Sequence, residues 1–293
     1  MIPIVFSTDH NYVMPTCVTI ASLLQSGKEN YAIYVLVADD VNEDDRSLLR
    51  DQVAELSAGS VIDFLSMGGA FDGGFEIRGI SKACYFRLLI PWLLSDVEKV
   101  IYSDVDIIFR TGLRELYSTE LGEDYFAGVV ARGSVKTMKK HISRLGLDPE
   151  AYINSGLILI NAAKLREDNM KETFLKLAEK KLLFQDQDII NIASKGRIRF
   201  LPERWNMSPA WLAEDVKAGK CDGTTRGCVL HYSGLKPWEA MTYCWNEWWD
   251  TYKATKVYDP TFSYKVESRI LSYTLTARRF MRSLSYKIKN ALG

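Results

Sequence analysis

Two aspartates separated by one valine, Asp104 and Asp106 around Val105, stand inside an otherwise β-favouring stretch, VIYSDVDIIF at 100–109. Carboxylates beside buried hydrocarbon are costly unless a positive partner meets them. In an extended segment, side chains two apart share a face. Both acids can then reach one divalent cation bound by oxygen. An exposed turn carrying two unrelated acids is the competing reading. Other residues with usable chemistry lie far away in the chain. Arg87 stands off the apolar stripe of Tyr85, Leu88 and Leu89, so it faces either solvent or a cleft. Asp186 and Asp188 flank Gln187 just before a helical apolar pattern, where acids also favour a helix N-terminus. His231 follows the apolar pair Val229 and Leu230, with Gly234, Lys236 and Pro237 beyond it. A lone histidine there is equally a core or surface residue.

The elements that must carry these residues read as α/β. Ile2–Ser7 is an apolar run suited to a buried parallel strand. It gives way to Thr8, Asp9, His10 and Asn11, and then to Val13, Cys17, Ile20 and Leu24 at helical spacing, closed by Ser26 and Gly27. Ala32–Ala38 and Val61–Leu65 are further strands. Between them lies a helix capped by Asn42, with Leu49, Val53 and Leu56 on one face. This βαβαβ order favours a parallel sheet. Residues 68–74 read as a glycine-rich loop. A helical stripe from Lys82 is ended or bent at Pro91. Tyr125–Val130 and Gly156–Ile160 read as strands, with Asn154 and Ser155 just before the second. Phe174, Leu177, Ala178 and Leu182 mark a helix, and Trp238, Trp245, Trp248 and Trp249 read as core and cleft wall, with stacking on sugar faces as the alternative. No glycine-rich phosphate loop follows the first strand. A chain of this kind that holds phosphates needs another device, and a metal would serve.

Composition narrows the function classes. The 293 residues carry 37 basic and 37 acidic side chains, a formal net charge of zero, which argues against bulk nucleic-acid binding. Five cysteines without a Cys-x-x-Cys pair argue against a disulfide framework or structural zinc site and favour a reducing compartment. The N-terminus has no basic n-region and no long apolar stretch, and no segment is long enough to span a bilayer. A cytoplasmic protein is expected.

Six blocks then meet a family in its order: PIVFSTDHNYVMPTCVTIASLL (3–24), YFRLLIP (85–91), KVIYSDVDIIF (99–109), YINSGLILIN (152–161), FQDQDIIN (184–191) and HYSGLKPW (231–238). The chain resembles the family 8 glycosyltransferases. It is most similar to the bacterial branch of lipopolysaccharide and lipooligosaccharide galactosyl- and glucosyltransferases, and more distantly to glycogenin. The resemblance implies a GT-A fold, in which a mostly parallel nucleotide-binding sheet flanked by helices merges with an acceptor-binding half. It implies a UDP-sugar donor, a glycan or glycolipid acceptor, and Mn2+, with Mg2+ as the alternative. It makes Asp104, Asp106 and His231 the metal ligands. Thr8, Asp9 and Asn11 would hold uracil and ribose, with Val105 in the same nucleotide-binding set. Arg87 would lie near donor sugar and diphosphate, Gly234 and Lys236 against the diphosphate, and Asn154, Asp186 and Gln187 around the sugar. The family retains anomeric configuration. An amide such as Gln187 is a poor nucleophile, so the expected course is front-face departure and attack within one ion pair, with Asp186 orienting sugar hydroxyls.

Two positions depart from the pattern. Ala131 and Arg132 follow the strand ending at Val130, where some relatives place an acceptor-holding aspartate. Gly79 stands where at least one relative has a histidine facing the diphosphate. The expected domain covers residues 1–262. A tail at 263–293 contains Arg278, Arg279, Arg282, Lys287 and Lys289 with no acid after 278, and Phe280, Leu284 and Ile288 on one stripe. That is a basic amphipathic helix, either packed on the body or attached to an anionic membrane, the inner face of the cell membrane. Two other readings compete. A sugar nucleotidyltransferase also uses paired carboxylates, but it needs a glycine- and basic-rich loop after the first strand, which residues 8–12 lack. A catalytically silent sugar-nucleotide-binding protein would not need the complete Asp, Asp, His and Lys set.

Overall fold

The computed structural model describes residues 1–69, 71, 82–132, 136–266 and 268. The expectations placed on Gly79 and on the basic segment from Arg278 lie outside these residues. Seven strands form one sheet: β1 (Ile2–Thr8), β2 (Tyr31–Val37), β3 (Val61–Ser66), β4 (Lys99–Ser103), β6 (Phe126–Val130), β7 (Ile153–Asn161) and β8 (Ile198–Phe200). A separate antiparallel pair joins β5 (Ile107–Phe109) to β9 (Val229–His231). The sheet order is β3-β2-β1-β4-β7-β6-β8. β1 to β4 are parallel to one another, β7 runs antiparallel between β4 and β6, and β8 is parallel to β6. The α/β architecture expected from the sequence is therefore present, mostly parallel with one reversed strand.

The chain leaves β1 on one side for β2 and β3, then returns to its other side at β4. Connections that part in opposite directions open a crevice at the carboxyl ends of the two strands between them. Here those ends carry Thr8 and Asp9 on one strand and Asp104 on the other.

β1 is buried along its whole length, as its unbroken apolar run predicts. Ile4 and Phe6 join one core with α1 (Val13–Ser26) and α2 (Glu43–Leu56), while Val5 joins the core on the opposite face. Each such side chain, fully buried, stabilises the fold by about 1.5–3 kcal/mol. The Asn42 cap of α2 is present as a full capping box with Asp45, worth about 1 kcal/mol. α1 is buried on nearly every side, and its small hydroxyls have work there. Thr19 Oγ1 donates to the carbonyls of Val105 and Ile107 at 2.8 and 2.9 Å, and Ser22 Oγ accepts from Phe109 N at 3.0 Å. The helix thereby supports the backbone of the segment that carries both aspartates.

Several local expectations are revised. Asp104 and Asp106 do not share a strand face. They sit in a bend between β4 and β5, which belong to different sheets. Pro91 does not end the segment after Lys82: a 3-10 helix at Lys82–Leu89 passes into a short α-helix, Ile90–Leu93, with Pro91 in its first turn, where no amide hydrogen is needed. Asn154 and Ser155 lie inside β7, because this strand begins at Ile153. The helix Lys171–Ala178 stops before Leu182, which is nonetheless buried. The four C-terminal tryptophans pack as core and partial core around Trp248 and Tyr252 rather than lining the cleft. Residues 260–266 are helical, and Val266 is buried in the same cluster, so packing continues across the boundary expected at 262. Among the described residues, no helix is long and apolar enough to cross a membrane.

Candidate active site

The crevice holds a cleft of about 710 Å³. Asp104 follows β4 directly, and Asp104 N donates to the Gly156 carbonyl at 2.7 Å, which ties the bend to β7. Two residues on, β5 pairs with β9 so that Ile107 lies opposite His231, and Tyr232 N donates to the Asp106 carbonyl at 2.9 Å. This register delivers His231, 125 positions away in the chain by number, to the two aspartates. One ligand atom from each of Asp104, Asp106 and His231 lies within 4.8 Å of the others. His231 Nε2 is 3.2 Å from Asp106 Oδ1 and 3.8 Å from Asp104 Oδ2. Gly156 is needed beneath them: a Cβ there would stand 2.1 Å from His231 Cε1 and 2.9 Å from Asp104 Oδ2.

Charge is closely balanced around this cluster. Lys236 Nζ donates to Asp106 Oδ2 and, at 2.9 Å, to the Tyr232 carbonyl. Burial alone would raise the Asp106 carboxyl, but His231 and Lys236 outweigh it and hold the group well below the ordinary carboxylate range. Even so, Asp106 Oδ1 is buried without a hydrogen-bond donor. Arg87 faces the cleft rather than solvent and is 6% exposed. Its guanidinium donates to Asp104 Oδ1 at 2.7 Å and to the Ser155 carbonyl at 2.7 Å, pairs with Asp186 Oδ2 at 3.1 Å, and lies 4.1 Å from the Tyr102 ring centroid. Burial works against its charge, but Asp104 and Asp186 together raise its pKa. Asp186 shows the opposite balance. Its burial raises the carboxyl pKa despite Arg87 and a bond from Ser155 Oγ at 3.1 Å.

Asp186 enters the cleft from the first turn of the helix Gln185–Ala193, just after Gln185, whose φ of +42° is uncommon outside glycine. Gln187 on the same turn accepts from Asn154 Nδ2 at 3.1 Å and Ser155 N at 3.2 Å. Thr8, Asp9, Val105, Asn154, Gly234 and Lys236 also line the cleft. Asn11 stands apart, exposed and outside the lining. Asp9 is partly engaged as the cap of the 3-10 turn His10–Tyr12.

Several contributors carry no local signal in the sequence. Tyr102 donates to Asp104 Oδ1 at 2.9 Å; its place two residues before Asp104 was the one hint. Asn206, on the far side of His231, places its Oδ1 2.8 Å from His231 Nδ1. Trp211 lines the cleft, 5.7 Å from the Arg132 guanidinium, which is itself engaged by Glu203 and Asp215. Arg132 therefore finds its carboxylate partners within the protein.

With a carboxylate pair, an imidazole and two cations converging at a switch point, comparison with known proteins becomes informative. The family model for glycosyl transferase family 8 matches residues 3–242. The chain belongs to glycosyl transferase family 8. Within reach of that family, a putative glycosyltransferase of Haemophilus influenzae is 29% identical over 213 residues, 70% of this chain and 63% of the relative, so the chain spans under two thirds of that protein. A lipopolysaccharide 1,3-galactosyltransferase of Salmonella typhimurium is 25% identical over 248 residues, 81% of this chain and 73% of the relative. Among solved structures, galactosyltransferase LgtC in complex with donor and acceptor sugar analogues superimposes with a TM-score of 0.75 at 24% identity, covering 90% of this chain and all of that one. This likeness shows that the family 8 chain has the GT-A fold.

Proposed function

We propose that the chain is a retaining, metal-dependent hexosyltransferase that moves galactose or glucose from a UDP-sugar to a glycan or glycolipid acceptor, such as a lipopolysaccharide precursor. The observation that carries this reading is the convergence of Asp104, Asp106 and His231 around the undonated oxygen of Asp106. Two carboxylates with one imidazole fit Mn2+, with Mg2+ the weaker match to a nitrogen ligand. Bound there, the ion supplies Lewis-acid stabilisation of the diphosphate leaving group.

The protein's own groups supply the rest. Lys236 and Arg87 are fixed positive charges where negative charge develops. The end of β1 at Thr8 and Asp9, with Val105 beside it, receives the nucleoside, and Gly234 leaves its backbone open to the diphosphate. Asp186 and Asn154 orient the sugar. Gln187 Oε1 already accepts two hydrogen bonds, which further weakens a poor nucleophile. In the favoured course the bond from anomeric carbon to phosphate oxygen breaks, and its electron pair leaves with UDP. The acceptor hydroxyl bonds to the carbon from the same face and passes its proton to the departing phosphate oxygen. The catalytic body is assigned to residues 1–262, with the turn that carries Val266 packed against it, and the basic segment from Arg278 to attachment at an anionic membrane surface, where lipid-linked acceptors lie.

The test is UDP release from UDP-galactose and UDP-glucose with and without Mn2+, with the product's anomeric configuration read from proton NMR coupling. Metal-dependent release and a retained axial linkage are expected. An inverted product would refute retention, and sugar-nucleotide binding without turnover on any glycan or water would leave the silent binding protein.

A further inference from the structure

The placement of the proton on His231 depends on a chain of hydrogen bonds that begins on the other side of the cleft. Asp188 is fully buried and accepts from Tyr152 Oη at 2.6 Å. Gln187 Nε2 donates to Tyr152 Oη at 3.2 Å, and Asn154 Nδ2 donates to Gln187 Oε1 at 3.1 Å. Asn206 Nδ2 donates to Asn154 Oδ1 at 2.9 Å, and Asn206 Oδ1 meets His231 Nδ1 at 2.8 Å. Three amides in series could in principle all be turned over together, with donors and acceptors exchanged. Two backbone donors of β7 forbid this. Ser155 N donates to Gln187 Oε1 at 3.2 Å, and Gly156 N donates to Asn154 Oδ1 at 2.9 Å. Each fixes an amide oxygen in place, so Asn154 presents an acceptor to Asn206. Asn206 must then offer its NH2 there and its oxygen to the histidine.

We infer that Asn206 is a positioning residue that keeps a proton on His231 Nδ1, so that Nε2, facing Asp104 and Asp106, is the ring nitrogen left to bind a metal. The inference rests on the proposed metal site for its function, although the tautomer itself does not. Asn206 is 2% exposed. Its backbone neighbour Met207 brackets β9, donating to the Val229 carbonyl at 2.8 Å and accepting from His231 N at 2.9 Å, so the contact is built by the fold. Free imidazole side chains favour the other tautomer, in which Nε2 carries the proton and could not ligate. A ligand's partner of this kind typically changes metal affinity by about 10–100-fold when removed.

The experiment uses the full chain labelled with 15N-histidine. There are three histidines, His10, His141 and His231, so His231 is assigned by its absence in His231→Gln. Long-range proton–nitrogen correlation above neutrality, without metal, should show a proton on Nδ1 of His231 in the wild type. Asn206→Ala should move it toward Nε2–H and weaken Mn2+ binding, read by calorimetry or electron paramagnetic resonance, by about 10–100-fold. Asn206→Asp can still accept from Nδ1, so tautomer and Mn2+ affinity should be kept. Its second oxygen opposes the fixed oxygen of Asn154, so turnover should fall. A wild type in which Nδ1 of His231 carries no proton overturns the inference, whatever the variants do. Wild-type Mn2+ affinity in a folded Asn206→Ala also overturns it. Absence of Mn2+ binding in the wild type with the Nδ1–H tautomer intact would sink the metal site and leave the positioning of His231 standing.

Discussion

Replacing Gly156 by alanine should remove metal binding while leaving the fold in place. The added Cβ would lie 2.1 Å from His231 Cε1, 2.7 Å from Nδ1 and 2.9 Å from Asp104 Oδ2. Carbon atoms rest at about 3.5–4.0 Å, so the ring must retreat by about 1.4 Å or β7 must move. Metal ligand distances tolerate about 0.2 Å. Either movement takes His231 out of range and stretches its 2.8 Å contact with Asn206. Losing a ligand should cost at least the roughly 10–100-fold in affinity seen when a ligand's partner is lost. Overpacking of this kind costs about 1–3 kcal/mol, a fall in Tm of about 2–4 °C per kcal/mol for a domain near this size. The φ of Gly156 lies outside the left-handed region, so alanine adds no backbone strain and the effect is purely steric. The measurements are Mn2+ titration, a metal-free melting curve and UDP release. Gly234→Ala is the steric control, because a Cβ there meets nothing within 4 Å, and its Tm and Mn2+ affinity should match the wild type. Wild-type Mn2+ affinity in Gly156→Ala would refute the placement of His231 as a ligand.

Other outcomes follow from the same geometry. Asp104→Asn and Asp106→Asn should each abolish metal-dependent UDP release in a folded protein. The Asp106 carboxyl is held low by His231 and Lys236 against the effect of burial, so its stabilisation is complete above the unfolded value of about 3.9 and is lost as pH falls through the folded value. Asp106→Asn should therefore flatten the acid limb of Tm against pH. Asp186 has the opposite sign. Burial raises its pKa, so its carboxylate costs stability as pH rises through the folded value. Asp186→Asn should melt no lower than wild type at neutrality, lose that advantage toward acid, and turn over about one to two decades more slowly, from the 1.5–3 kcal/mol of a charged hydrogen bond. Thr19→Val keeps the shape but strips the donor from two buried carbonyls. It should lower stability by about 1–3 kcal/mol and weaken Mn2+ binding, and an unchanged Tm would show the hydroxyl to be idle. Deleting residues after Ser272 should spare turnover on a small acceptor and reduce co-sedimentation with anionic vesicles at low salt, where surface charge is least screened. Equal vesicle binding would favour a tail packed on the body.

Where one local force dominated, the sequence was legible. The apolar run of β1 can only be a buried strand, and it is. The Asn42 cap fixed the start of α2. Thr8, Arg87, Asp104, Asp106, Asp186 and His231, whose types and spacing single them out in the sequence, all line one cleft. The geometry that unites Asp104 and Asp106 was misread, because a two-residue period assumes a continuous strand. The chain instead breaks after Ser103 and rejoins a different sheet at Ile107. That break depends on β9, more than a hundred residues later, offering a partner to Ile107–Phe109. No window of sequence contains both halves of that decision.

The illegible part of the site has a common physical origin. Tyr152 and Asn206 act through hydrogen bonds to residues distant in the chain, Tyr102 through one to Asp104 and its ring against Arg87, and each looks ordinary in its own segment. Tyr102 reads as a strand residue, and Asn206 as the end of a short turn. Their roles arise because buried polar groups must be satisfied, and here the available partners are one another. The backbone amides of Ser155 and Gly156 set the direction of the whole series. Strand β7 thus acts on the opposite side of the cleft through the side chains of Gln187, Asn154 and Asn206. Gly156 contributes twice, by its amide to Asn154 and by its missing side chain to His231. A position read from sequence as the first residue of a strand is therefore the point where the sheet, the sugar-side amides and the candidate metal ligands are held in common register.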